Sequence, residues 1–177
     1  NQSNRAMLYC ALHGNMEGVR YRLGASADPA QRPLNPADPD TYDERAPGAE
    51  RWTALHLAAL GNNRMEVGAD YVGCMDALKE AGANLDQFNN DGKTPLMIAA
   101  KFGHTAAVEW LLQNGAAWHL TTMDIYPELT ALQLCTFARQ EMQAAVARQH
   151  DGTLARMELN ARLEDLKKTE NVLTMFI

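Results

Sequence analysis

The sequence predicts an all-α protein made by stacking one helix–turn–helix unit several times, and three observations carry that prediction. First, Thr94-Pro95-Leu96-Met97-Ile98-Ala99-Ala100 has its pattern repeated upstream as Thr53-Ala54-Leu55-His56-Leu57-Ala58-Ala59. Second, the continuation through Lys101-Phe102-Gly103-His104 to Leu111-Leu112-Gln113-Asn114-Gly115-Ala116 has its ending repeated as Ala77-Leu78-Lys79-Glu80-Ala81-Gly82-Ala83-Asn84. Third, 177 residues with 46% apolar and 21% charged side chains suffice to bury a core without disulfides or metals. Collagen, a coiled-coil rod and a wholly disordered tail are excluded by the same numbers.

The motif explains itself mechanically. Thr94 caps a first helix, and Pro95 suits the first turn, where a missing N–H costs nothing. Leu96, Ala99 and Ala100 share one face at helical spacing, and the alanines let neighbouring helices approach closely. Gly103 and Gly115 stand where each helix must stop. Val108, Leu111 and Leu112 form the apolar stripe of a second helix. Such a unit cannot bury both of its faces alone, so it stacks on copies of itself.

Taken in order, the first unit follows from aligning Gly14-Asn15 on Gly103-His104. That places Cys10-Ala11 on Ala99-Ala100, and Val19 and Leu23 on Val108 and Leu112. Five of the seven prolines (Pro29, Pro33, Pro36, Pro39, Pro47) then fall between Asp28 and Arg51, an insertion unsuited to helix or central strand. The second unit opens at Thr53 and carries a smaller excess around Asn62 to Asp70. The third opens at Thr94. The fourth opens at Thr130-Ala131-Leu132-Gln133-Leu134, which puts Cys135 on Ala99. Arg5 holds the threonine slot of the first unit. Beyond Gly152, Thr153 to Glu170 reads as an amphipathic helix with Leu159, Leu163, Leu166 and Leu173 in line. It is expected to cap the fourth unit through Leu154, Met157, Leu159 and Leu163, because Thr130 to Gln149 shows no clean polar cap.

These stretches resemble ankyrin repeats, helix–turn–helix units of about 33 residues whose first helix opens T-P-L-H-x-A. The unit from Asn89 to Thr121 matches nearly throughout, Asp91-Gly92 included, while the one at Thr53 matches at both ends but not in the middle. The resemblance implies an ankyrin solenoid of four units over 1–152, the first and last degenerate. It makes the proline-rich insertion at about 29–51 a hairpin finger and leaves 153–177 as a helical tail on the last repeat or a partner. It also implies protein binding on a concave face made by the fingers and the first helices. The matching slots are Trp52, Leu60, Asn90, Lys93, Lys101, Phe102 and Phe137, with His13 less directly placed. For Trp52 and Phe137 the competing reading is packing against the insertion or tail.

Other chemistries find little support. With 16 Lys plus Arg against 22 Asp plus Glu, the net charge of −6 opposes a phosphate-tracking groove, so nucleic acid is not expected as a partner. No apolar run reaches the roughly 18 residues a bilayer span needs. Three cysteines without a CxxC argue against a disulfide framework and for a reducing compartment, the cytoplasm first, with the nucleus or a cytoskeletal or ciliary assembly open. Cys10, Cys74 and Cys135 all fall in small core slots. His56 and His104 fall in motif positions that tie up backbone groups. The run Asp38-Pro39-Asp40-Thr41-Tyr42-Asp43-Glu44 lacks the glycine and spacing of a calcium loop and reads as a solvated acidic loop. No phosphate-binding, dinucleotide, nucleophile-elbow or zinc-enzyme motif occurs, so catalytic, metal and cofactor residues, and a small-molecule substrate, are not expected.

The expected function is protein binding without a reaction. Two versions compete: a permanent adaptor or scaffold subunit fixed through the insertion and tail, and a recognition domain, within a larger protein, that captures its partner on the concave face. The long insertion and the apolar end, where Val172, Leu173, Met175, Phe176 and Ile177 are assigned to a partner, favour the first.

Overall fold

Threonine starts three of the first helices, each with its hydroxyl accepting a backbone N–H three residues on. The pairs are Thr53 with His56, Thr94 with Met97 and Thr130 with Gln133. In each case the third residue returns the favour to the threonine N–H, through the ring Nδ1 of His56, the thioether of Met97 or the amide oxygen of Gln133. The computed structural model describes residues 2–24, 52–61, 68–123, 127–149 and 154–176. The proline-rich insertion and the acidic run Asp38 to Glu44 lie outside them, as does most of the excess around Asn62.

Among the described residues the helices are α1 (Gln2–Leu12), α2 (Met16–Gly24), α3 (Ala54–Leu60), α4 (Tyr71–Glu80), α5 (Pro95–Phe102), α6 (Thr105–Gln113), α7 (Ala131–Arg148) and α8 (Leu154–Phe176). Only Gly103 and His104 separate α5 from α6, which forces the second helix to run back along the first. Gly103 closes α5 in the left-handed conformation, at φ 75°. First helices pack in the row α1, α3, α5, α7, and second helices in the row α2, α4, α6, α8. α1 begins before Arg5, so that slot lies within a helix rather than at its cap.

A continuous core runs between the two rows. Leu55, Ala58 and Ala59 of α3 meet Cys74, Met75 and Leu78 of α4. Leu96, Ala99 and Ala100 of α5 meet Val108, Leu111 and Leu112 of α6. Polar ties join successive units. The Asp70 N–H donates to the Gly14 carbonyl at 2.8 Å, and His104 Nδ1–H donates to the Ala59 carbonyl at 2.9 Å. Trp110 Nε1–H donates to Asp76 at 2.7 Å, and the Ala117 N–H donates to the Asp86 carboxylate at 2.8 Å. The described residues contain no helix long and apolar enough to cross a membrane.

The C-terminal helix differs from expectation in register. α8 packs on α7, α6 and α5, the place of a fourth second helix. Its buried side chains are Leu163, Leu166, Thr169 and Leu173, whereas Leu154 and Met157 are 79% and 64% exposed and Leu159 is half-buried. The reason is length. At 18 residues α7 is more than twice as long as α5, so its far end reaches past that helix, and the start of α8 stays exposed. Leu166 and Leu173 join the core, and Leu166 lies directly on Gly103.

Thr169 bonds Thr105 of α6 at 2.9 Å, so Glu170, one residue or 100° further round, turns away from α6. There its carboxylate accepts from the Thr136 hydroxyl at 2.8 Å and pairs with Arg139 at 2.6 Å. This cluster ties α8 to α7.

Leu173 has no exposed surface, which sets a test for the end of the chain. Truncation after Asn171 is expected to destabilise the protein by about 2–5 kcal/mol, the usual cost of removing a buried leucine side chain, measured by urea unfolding. Changing the exposed Met175 to alanine is expected to move the midpoint hardly at all.

Candidate protein-binding face

The finger between the second and third units is built from a short hydrogen-bonded turn. The Asn89 N–H donates to the Lys93 carbonyl at 3.0 Å, the Lys93 N–H returns to the Asn89 side chain at 2.9 Å, and the Gly92 N–H donates to the Asn89 carbonyl at 3.0 Å. Gly92 holds φ 61°, and its own carbonyl accepts the Met123 N–H of the next finger at 2.9 Å. A side chain at position 92 would run into the Met123 backbone. Fingers are thereby locked to each other as well as to the helices.

His56 anchors this turn from below. Its Nδ1 accepts the Thr53 N–H at 3.2 Å and lies 2.8 Å from the Thr53 hydroxyl, so the proton sits on Nε2, which donates to the Lys93 carbonyl at 3.0 Å. The ring is fully buried, and that burial pushes its pKa from 6.5 down to about 4, against the raising effect of the Lys93 and Gln87 backbone hydrogen bonds. The imidazole is therefore neutral and structural, as the motif position leads one to expect.

From this frame the expected face residues project unequally. Lys101 and Phe102 end α5 on the exposed side, Phe102 is 42% exposed, and the Lys101 ammonium lies 5.8 Å from its ring centre. Phe137 is 51% exposed on α7. Asn90 is exposed at the finger, and Lys93 is half-buried beside it with its ammonium 3.4 Å from the Asp91 carbonyl. Burial lowers the Lys93 pKa, Asp91 raises it, and the nearby Lys101 lowers it further. Leu60 is half-buried at the end of α3. Trp52 is half-buried too, with its ring 6.0 Å from that of His56 and its Nε1 buried with no hydrogen-bond partner among the described residues.

The tail residues divide. Leu173 is buried and Val172 packs against the same core, so these two belong to the array and not to a partner surface; the α8 helix brings them round onto α7. Met175 and Phe176 are exposed, and Ile177 lies outside the described residues.

Further exposed side chains were not legible as candidates. Tyr9 occupies the slot of the buried Ile98 yet is 64% exposed, its ring 4.1 Å from that of His13, because the first unit lacks a neighbour on that side among the described residues. Trp118, His119 and Met123 stand in the finger after the third unit, with the Trp118 and His119 rings edge to face. Aromatic residues just beyond Gly115-Ala116 were the available signal.

The thiols sit in packing positions. Burial pushes both Cys74 and Cys135 up to about 12, and Cys10 is half-buried against the core. Among the described residues no group of three or more His, Cys, Asp and Glu could hold a metal ion.

Two measurements follow from these environments. Native thiol labelling is expected to be slow at Cys74 and Cys135, and complete for all three cysteines in denaturant. For His56, the folded pKa lies below the unfolded one, so the unfolded chain takes up the proton first. Stability is therefore highest above about pH 6.5 and falls as pH drops toward 4, by about 3 kcal/mol in full for this group. Urea midpoints between pH 7.5 and 4.5 should show this slope in the natural protein and a shallower one in His56→Gln.

The family model described as ankyrin repeats, in three copies, matches residues 7–124. Those residues hold the first three helix pairs but for the start of α1, and the fourth lies beyond them. The RelA-associated inhibitor of Mus musculus is 33% identical over 129 residues, 73% of this chain but 13% of that protein. A probable E3 ubiquitin-protein ligase of Oryza sativa subsp. japonica, XBOS31, is 38% identical over 80 residues, 45% of this chain and 16% of that protein. The chain thus spans less than a fifth of the length of either relative. Capping threonines, stacked helix pairs and finger turns agree with the family match, and the chain belongs to the ankyrin-repeat proteins, whose fold is a protein–protein interaction module.

Proposed function

We propose that this chain is a recognition domain that captures a protein partner on the face formed by its first helices and fingers, and that it performs no reaction of its own. The observation that carries this reading is the exposure of Phe102 and Phe137 on consecutive first helices, next to Lys101, on a frame whose fingers are tied to one another. A folded chain leaves such aromatic side chains in water at a cost, and aromatic anchors dominate interface energetics. Similarity to segments of two much longer proteins supports a domain within a larger chain. The unpaired thiols of Cys10, Cys74 and Cys135 suit a reducing compartment, the cytoplasm first.

The second reading, an adaptor or scaffold subunit held through its tail, rests on Met175 at 86% exposure and Phe176 beside it. It loses the support that Val172 and Leu173 were expected to give.

Affinity capture from the source cells with three forms of the protein separates the two. Phe102→Ala combined with Phe137→Ala is expected to lose the partner while keeping the urea midpoint within about 0.5 kcal/mol, as surface substitutions do. Met175→Ala combined with Phe176→Ala should retain it. The opposite pattern would establish the subunit reading.

A further inference from the structure

Three first helices start from equivalent caps, so residues at equal distance from the cap lie in rows across the face. The position before the cap is Trp52, Lys93 and Leu129 in successive units. The seventh position after it is Leu60, Lys101 and Phe137. In both rows a lysine stands in the third unit with apolar side chains in the units on either side.

This arrangement is unfavourable for the free protein. Lys93 and Lys101 repel one another, and among the described residues neither ammonium is ion-paired with a carboxylate. The Asp91 side chain acts on Lys93 only through space, while its backbone carbonyl takes the Lys93 hydrogen bond. All this occurs on a chain whose overall charge is −6. A local pair of cations on an acidic protein draws a negative group to that spot and repels it elsewhere.

We propose, building on the recognition reading above, that the third unit takes an acidic segment of a separate protein, in which a carboxylate is flanked on both sides by apolar residues. The carboxylate meets Lys93 and Lys101, and the flanking side chains meet Trp52 and Leu60 on one side and Leu129 and Phe137 on the other. Phe102 closes the end of the cation pair. Packed helices lie about 8–10 Å apart. A segment in the polyproline II conformation advances about 3.1 Å per residue and brings every third side chain to the same side. The apolar residues therefore stand about three positions before and after the acidic one.

The test selects peptides from a random twelve-residue display library on the full 177-residue chain and measures the enriched sequences as labelled peptides by fluorescence anisotropy. The expected result is an Asp or Glu between apolar residues at that spacing, with affinity falling about tenfold on Lys101→Glu or on Lys93→Gln. Lys167→Glu, a charge change on the exposed side of α8, is expected to leave affinity unchanged. Neutral peptides that depend on Phe102 and Phe137 but ignore both lysines would overturn the acidic assignment and leave the recognition face standing. Enrichment independent of every one of these side chains would overturn both. Peptide binding that emerges only after Asp38, Asp40, Asp43 and Glu44 are changed to Asn or Gln would give the place to the chain's own acidic run, and overturn the assignment to a separate protein.

Discussion

A pair of helices seven to ten residues long carries apolar side chains on two flanks, and one flank stays wet until a neighbouring pair covers it. Everything else in this structure follows from that need. Ala58, Ala59, Ala99 and Ala100 are fully or almost fully buried because the helix backbones must come close enough to exclude water. Hydrogen bonds between units then become necessary, since close approach buries polar backbone groups that must be paired. His104 on the Ala59 carbonyl and His56 on the Lys93 carbonyl answer that need at opposite ends of the helices.

The same need shapes the last pair. α8 brings Leu166 and Leu173 into the core, and its Glu170 binds Thr136 and Arg139 of α7. That charged, hydrogen-bonded contact ties the two helices of the pair to each other beside their apolar packing. The reach of α7 past α5 is a separate consequence of its length.

Rigidity of the proposed face has its source in the fingers. Lys93 belongs to a turn whose carbonyl is held by a neutral buried histidine and whose Gly92 is bonded to the next finger. Exposed side chains on such a frame lose little freedom when a partner binds, which is how preorganisation raises affinity. Stability and the proposed recognition therefore share residues: the tie that joins two units also positions Lys93.

The repeated motif was legible because its reasons are local. Thr94 caps its own helix, Gly103 ends it, and the four-residue spacing of Leu96 and Ala100 fixes one buried face wherever the helix lies. The fold family, the outward slots of Lys101 and Phe102 and the small core slots of the cysteines were read from the sequence alone, whereas for Phe137 packing against the tail stood beside exposure. What the sequence could not settle depended on neighbours distant in the chain. Leu173 looked free because five of the last six residues are apolar, yet α8 carries it back onto the core; Leu154 and Met157 looked like a cap, yet they stay in water. Tyr9 sits in a core slot whose cover is not supplied by any described residue. Glu170 lies 34 residues from Thr136, and no local pattern announces that the two meet. A side chain's helical state is decided within a few residues, but its burial is decided by which surface arrives opposite it, and only the tertiary structure supplies that surface.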